Sequence, residues 1–311
     1  MAAHPTAGMN PAGRGRTWWL TSLCSAACIC GSLAVALAVA PPRRIVSLVP
    51  NVTEMIYAIG AGSRVVAVSS YDDYPPEVRS LPKVGALLDP DLERILTLRP
   101  DLVIVYGSQN DLKAQLARAG IDTFGYRHGG LDAVTATIRE LGERLGTAAE
   151  AGVVAGRITA EIDEVHRRVA GRPRVRTLLV FGRERLALRG IYVSGGVGFL
   201  QDMLTAAGAD NVFADVKSES VQADTEQIIS RHPDAIIEVR AQNEAFPSGD
   251  RDAERRAWNG LGSVPAVKNG RVIFLFDDRI VVPGPRVADG TRELAKALHP
   301  DAFTAAAERG R

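Results

Sequence analysis

The chain has 311 residues, 46% hydrophobic, 23% charged and 5% aromatic. That is the make-up of a folded protein with a real core, and it excludes disordered and fibrous classes. With 37 basic against 36 acidic residues and a net charge of +1, the chain lacks the basic footprint that non-specific nucleic-acid binding requires.

The first 40 residues read as an export segment. Arg14 and Arg16 precede Thr17–Ala40, 24 uncharged residues ending Ala-Leu-Ala-Val-Ala. Ala36 and Ala38 form an A-x-A site with cleavage before Val39. A retained anchor helix is the second reading, since 24 uncharged residues can span a bilayer. A lipid anchor is the third, although the residues before Cys24 and Cys28 make a poor lipidation box. All three place the body outside the cytoplasm, in the periplasm or its equivalent. Cys24, Cys28 and Cys30 are the only cysteines, so disulfides, thiolate metal sites and cysteine nucleophiles are excluded from residues 41–311. Without the leader's two arginines, 35 basic residues face 36 acidic ones.

From Arg44 the pattern is α/β. Arg44–Val49 reads as a buried strand, and Asn51 as the cap of a helix over Thr53–Ile59. Arg64–Val68 is a strand followed by the loop Ser69-Ser-Tyr-Asp-Asp-Tyr-Pro-Pro. Asp89-Pro90 opens a helix through Leu98, and Leu102–Tyr106 is a strand. A helix over Asp111–Ala119, a strand over Thr123–Tyr126 and a helix from Leu131 complete a lobe over 41–146. Thr147–Ala170 contains no proline, and Val153, Ile158, Ile162, Val165 and Val169 recur at near-helical spacing, which predicts one long connecting helix over 147–170. A second lobe over 171–311 follows. Its strands are Val175–Phe181, Ala235–Val239 and Val272–Phe276, with helices near Phe199–Ala207 and over Arg286–Leu298. Strands alternating with helices imply Rossmann-like lobes with mostly parallel sheets.

An internal echo joins the halves. Leu92–Val105 aligns with Thr225–Glu238 at a constant offset of 133, matching Glu93 with Glu226, Ile95 with Ile228, Pro100 with Pro233, and Asp101 with Asp234. Shared origin and convergence on one helix–turn–strand solution both account for it, and each puts a glutamate in the same place in both halves.

No catalytic set emerges. His128, His166, His232 and His299 have no acidic partner at ligand spacing and read as surface histidines. Ser194-Gly-Gly-Val-Gly198 before a helix can hold an anion on backbone N–H groups, or simply turn the chain. Tyr71, Tyr74 and Tyr106 follow or end strands, where the crevices of α/β lobes form. Arg279 follows the strand Val272–Phe276 at the matching edge of the second lobe, and can meet an anion or remain solvated.

The loop Ser69–Pro76, Leu92-Glu-Arg-Ile95, Arg99-Pro-Asp-Leu-Val-Ile104, Val193-Ser-Gly195 with Gly208–Phe213, and Pro283-Gly-Pro-Arg286 together resemble the periplasmic cobalamin-binding proteins of ABC importers. The wider group includes receptors for ferric siderophores and haem. The resemblance runs from about Arg44 to His299. It implies two lobes on a rigid helix, no enzymatic activity, no resident cofactor, and a corrinoid or iron chelate as ligand. The partners it implies are an ABC permease and its ATPase. Glu93 and Glu226 fall on the glutamates that dock such receptors on permease arginines. Tyr71, Tyr74 and Tyr106 fall on the ligand side. Leu87, Ser220 and Arg279 stand where the cobalamin receptor has tryptophan, and Arg279 there suits a carboxylate-bearing chelate. A ferric siderophore or haem is thus the alternative ligand, and a secreted enzyme or sensor on the same fold the alternative role.

Overall fold

A computed structural model describes residues 40–240 and 250–304; the expected export segment, up to residue 39, and the expected cleavage before Val39 lie outside them. The first half alternates β1 (Ile45–Ser47), α1 (Pro50–Ala58), β2 (Val65–Val68), α2 (Leu92–Thr97), β3 (Leu102–Tyr106), α3 (Asn110–Arg118), β4 (Asp122–Tyr126) and α4 (Leu131–Leu145). Its four strands are all parallel, in the order β2-β1-β3-β4. The central strands β1 and β3 are near-continuous Val, Ile and Leu runs because helices cover both their faces.

Next comes α5 (Ala148–Val169), 22 residues and so about 33 Å long. Ala151, Val154, Ala155 and Ile158 enter the core of the first lobe, while Val165 and Val169 enter that of the second. Val153, expected in the buried stripe, is exposed; the stripe runs through its neighbour Val154.

The second lobe contains β5 (Val175–Gly182), β6 (Ile191–Ser194), α6 (Phe199–Ala206), β7 (Ala209–Asn211), β8 (Ser220–Ala223), α7 (Thr225–Arg231) and β9 (Ala235–Arg240). It ends with α8 (Asp250–Ala257), α9 (Pro265–Lys268), β10 (Val272–Phe276), α10 (Asp278–Val281) and α11 (Val287–Leu298). The sheet order is β10-β9-β5-β6-β8, with β7 beside the start of β5. Here β5, β9 and β10 are parallel, whereas β6 runs antiparallel to β5 and β8.

The echo is structural. Asp91 caps α2 by accepting from the Arg94 N–H at 3.0 Å, and Asp224 caps α7 by accepting from the Gln227 N–H at 2.7 Å. Asp91, not Asp89, therefore starts the first of these helices. Arg99 and His232, past the helix ends, both adopt left-handed backbone at φ 47° and 46°. β3 and β9 then begin at Leu102 and Ala235, at the same offset.

Candidate functional site

The carboxyl ends of the parallel strands in both sheets converge on one seam, where open α/β sheets place their ligands. Asn51 is not a cap. It lies inside α1 with its side chain buried, and its amide donates to the Pro283 carbonyl of the other lobe at 3.1 Å. One turn on, the Glu54 carboxylate accepts from Arg286 at 2.8 and 2.5 Å. Burial pushes the Glu54 carboxyl up, against the pull of Arg286. Across the seam, the N-terminus of α4 has no cap of its own, and the Leu131 N–H donates to Asp202 on α6 at 2.9 Å. A Cβ at Gly130 would press on that carboxylate, so a larger residue there would displace the Asp202 side chain.

Above this floor stands an aromatic wall. β3 and β4 pair Tyr106 with Tyr126, and their rings meet edge-on at 6.1 Å. His128 stacks on Tyr106 at 6.1 Å and lies 5.1 Å from Tyr126. Burial pushes the Tyr126 phenol up to about 12, with the Asn51 amide beside it and the field of Glu219 reaching it from the other lobe. Burial raises Tyr106 too, so both phenols are neutral hydrogen-bond donors at physiological pH. Gln109 accepts from the Tyr106 N–H at 2.8 Å and donates to the Leu87 carbonyl at 2.9 Å, which ties the Leu87 loop to the wall.

Tyr71 is 75% exposed, on a loop pinned from below by Asp72. The Asp72 carboxylate accepts from the Ser69 N–H at 2.9 Å, and its carbonyl accepts from Lys83 at 2.6 Å. Leu87 and Leu88 project beyond it. In the other lobe, Leu186, Tyr192 and Val197 are exposed between β5 and α6.

The remaining predicted positions separate. Tyr74 lies under the Arg286 guanidinium, 3.9 Å from its ring centre, and borders a cavity of about 470 Å³ along the seam with Glu54, Tyr57, Arg157 and Glu161. Ser220 is exposed at the start of β8, beside Glu219. Arg279 donates to Asp277 at 2.8 and 2.6 Å. Asp277 first, then Asp289 and Glu293, hold the guanidinium above its ordinary value. Its charge is met within its own lobe. Glu93 and Glu226 are exposed in the first turns of α2 and α7.

Three expectations change. The Gly195 and Gly196 N–H groups donate to the Glu219 and Val216 carbonyls at 3.1 and 2.8 Å, so these two glycines turn the chain and do not offer their N–H groups to an anion. His299 is buried against the Gly208 carbonyl rather than on the surface. Tyr126, His128 and Gln109 join the wall although nothing in the motifs marked them. The signal available was a tyrosine at the end of each of two strands that the fold places side by side.

Beneath the second lobe's edge lies a buried ion network. Glu238 on β9 accepts from Arg183 at 2.9 Å, Arg240 at 2.9 and 2.6 Å, and the Trp258 indole at 3.0 Å; Arg183 also meets Glu254 at 2.7 Å. It anchors the loop that carries Leu186. Among the described residues no cluster of His, Cys, Asp and Glu could hold a metal ion, and no helix is long and apolar enough to cross a membrane.

Residues 45–278 match the family model described as periplasmic binding protein. The chain belongs to that family. It is a family of binding proteins and not an enzyme class. Among relatives, an uncharacterized ABC transporter substrate-binding lipoprotein of Bacillus subtilis, YvrC, is 31% identical over 267 residues, covering 84% of this chain and 82% of its own. A vitamin B12-binding protein of Pectobacterium carotovorum is 32% identical over 285 residues, covering 90% and 94%. Among solved structures, the periplasmic heme-binding protein RhuT from Roseiflexus is 28% identical with a TM-score of 0.68, covering 84% of this chain and 99% of its own.

Proposed function

We propose that this protein is the extracytoplasmic receptor of an ABC importer, that it holds a corrinoid between its lobes, and that it presents it to the permease. The observation that carries the reading is the wall of Tyr106, Tyr126 and His128 at the strand ends of the first lobe, within reach of the field of Glu219 from the other lobe. A corrin is a broad, flat ring fringed with amides. Aromatic faces suit the ring, and phenols that remain protonated suit the amides. The vitamin B12-binding relatives support the same ligand. Tyr71, Leu87 and Tyr106 contribute from the first lobe, and Ser220 and Arg279 from the second. Tyr74 acts at the seam, through Arg286. The lobe limits we propose are 41–146 and 171–311, about a helix over 147–170, with the leader serving export.

Haem or a ferric siderophore is the second reading, favoured by the RhuT likeness. Such carboxylate-bearing ligands call for an unmatched cation, whereas Arg279 and Arg286 are each held by a carboxylate. Titration of the protein with cyanocobalamin, haemin and a ferric hydroxamate decides between them. The expected result is tightest binding of cyanocobalamin, and tighter haemin or hydroxamate binding overturns the corrinoid reading.

Glu93 and Glu226 dock the lobes on permease arginines in this proposal. Both are exposed, both lie in a first helical turn, and they occupy matching places in the two lobes.

A further inference from the structure

Ten large apolar side chains are exposed among the described residues, and two of them hold the same place in the two lobes. Leu96 on α2 and Ile229 on α7 are each 37% exposed, and they obey the offset of 133 that runs through the repeated unit. Their surroundings match. Asp91 and Asp224 cap the helices, and the preceding Ile95 and Ile228 are fully buried. Arg44 donates to the Leu98 carbonyl at 2.7 Å, and Arg176 to the Arg231 carbonyl at 2.6 Å; those carbonyls are again 133 residues apart.

Residues three apart on a helix share a face. Glu93 with Leu96, and Glu226 with Ile229, are therefore one acid–aliphatic pair presented twice on rigid, capped helices. Single exposed aliphatic residues are ordinary. Two at equivalent positions of a repeat, each one turn from an exposed acid, have no common task inside the molecule. The acids call for a basic surface, and the duplication calls for one that offers the same features twice.

We infer that Leu96 and Ile229 each seat in an apolar depression beside the cation met by the neighbouring glutamate, on a permease whose two halves present this cation–apolar pair. The inference rests on the docking reading above and adds a division of labour to it. Exposed carboxylates steer the encounter and fix its register, whereas buried aliphatic contact slows dissociation.

The test begins with a photo-reactive amino acid at position 96 or 229 of the full chain, in its own cells. Both positions should cross-link to the same peptide of one permease. The absence of a permease cross-link, or cross-links to a second copy of this chain, overturns the inference. That permease, with its ATPase in nanodiscs, then measures affinity. Leu96→Ser with Ile229→Ser should weaken docking by roughly tenfold per side chain, while cyanocobalamin binding and the melting temperature remain unchanged. Leu96→Met with Ile229→Leu should restore it. If Glu93→Gln with Glu226→Gln loses affinity while the serine pair does not, the apolar contact is refuted and docking through the glutamates stands. If neither pair loses affinity, both fall. Should the serine variants melt early, the cross-links alone decide.

Discussion

The two lobes solve one problem with different cores. β3 and β9 start at equivalent positions after equivalent capped helices, yet their strands diverge at the site-facing end. Val105 in the first lobe is a fully buried aliphatic. Its counterpart 133 residues on, Glu238, is a fully buried carboxylate holding two arginines and an indole. The outer helix–turn–strand unit is shared, while the strand ends at the seam differ. Under the docking proposal, similarity lies on the face that both lobes offer to the permease, and divergence at the seam.

The largest test of this contrast is at that pair. Glu238→Ala strands two buried guanidinium groups and should destabilise the fold by about 3–5 kcal/mol. Val105→Ala removes only methyl groups and should cost about 2 kcal/mol. Denaturant unfolding of both variants measures the gap, and equal losses would show that the network adds nothing beyond packing. Next in size is the shared unit. Glu93→Ala with Glu226→Ala should lose about 2–5 kcal/mol of docking free energy. Ligand affinity should be retained and stability should fall by at most ~1 kcal/mol. Intact uptake by that double variant would remove the docking role, and lost ligand binding would move the glutamates into the crevice.

Smaller effects belong to the wall. Tyr71→Ala and Tyr106→Ala should each weaken cyanocobalamin binding by about 1–3 kcal/mol, read by calorimetry. Unchanged affinity in both would place the ligand elsewhere. The smallest effect concerns pH, and it sits in the second lobe alone. Burial, then the field of Arg172, Arg271 and Arg174, keeps His299 below its ordinary value despite the Gly208 carbonyl beside it. The unfolded chain therefore takes up this proton first as pH falls. Stability from His299 is complete above pH ~6.5 and is lost as pH drops through its folded value. His299→Gln should flatten the melting curve against pH over that window; an unaltered slope would exonerate the residue.

Much of this was legible in the sequence, for identifiable reasons. β3 announces itself by the aliphatic run Leu102–Val105 and β9 by its opening Ala-Ile-Ile, and the Pro-Asp turn before each exposes the repeat. β6, β7 and β8 were illegible because they are only three or four residues long, and β7 and β8 carry mostly polar or small side chains. Asn51 looked like a cap because its partner, Pro283, lies 232 residues away. Val154 replaced Val153 in the buried stripe because a one-residue shift on a helix turns the side chain by about 100°. The wall needed cross-strand register. Tyr106 was visible at a strand end, but Tyr126 and His128 became neighbours only once β4 was laid beside β3.

The seam has a consequence for how the molecule can be taken apart. The amino end of α4 is finished by a carboxylate from the other lobe, and Arg286 finds its counter-charge on α1. Cut free at α5, each half would expose an unfinished helix end or a stranded charge together with the apolar surface around Val287 and Leu131. Two lobes in outline, Ala40–Arg311 are a single compact unit. A chimera that takes one lobe from a relative must therefore inherit the opposite bank of the seam as well.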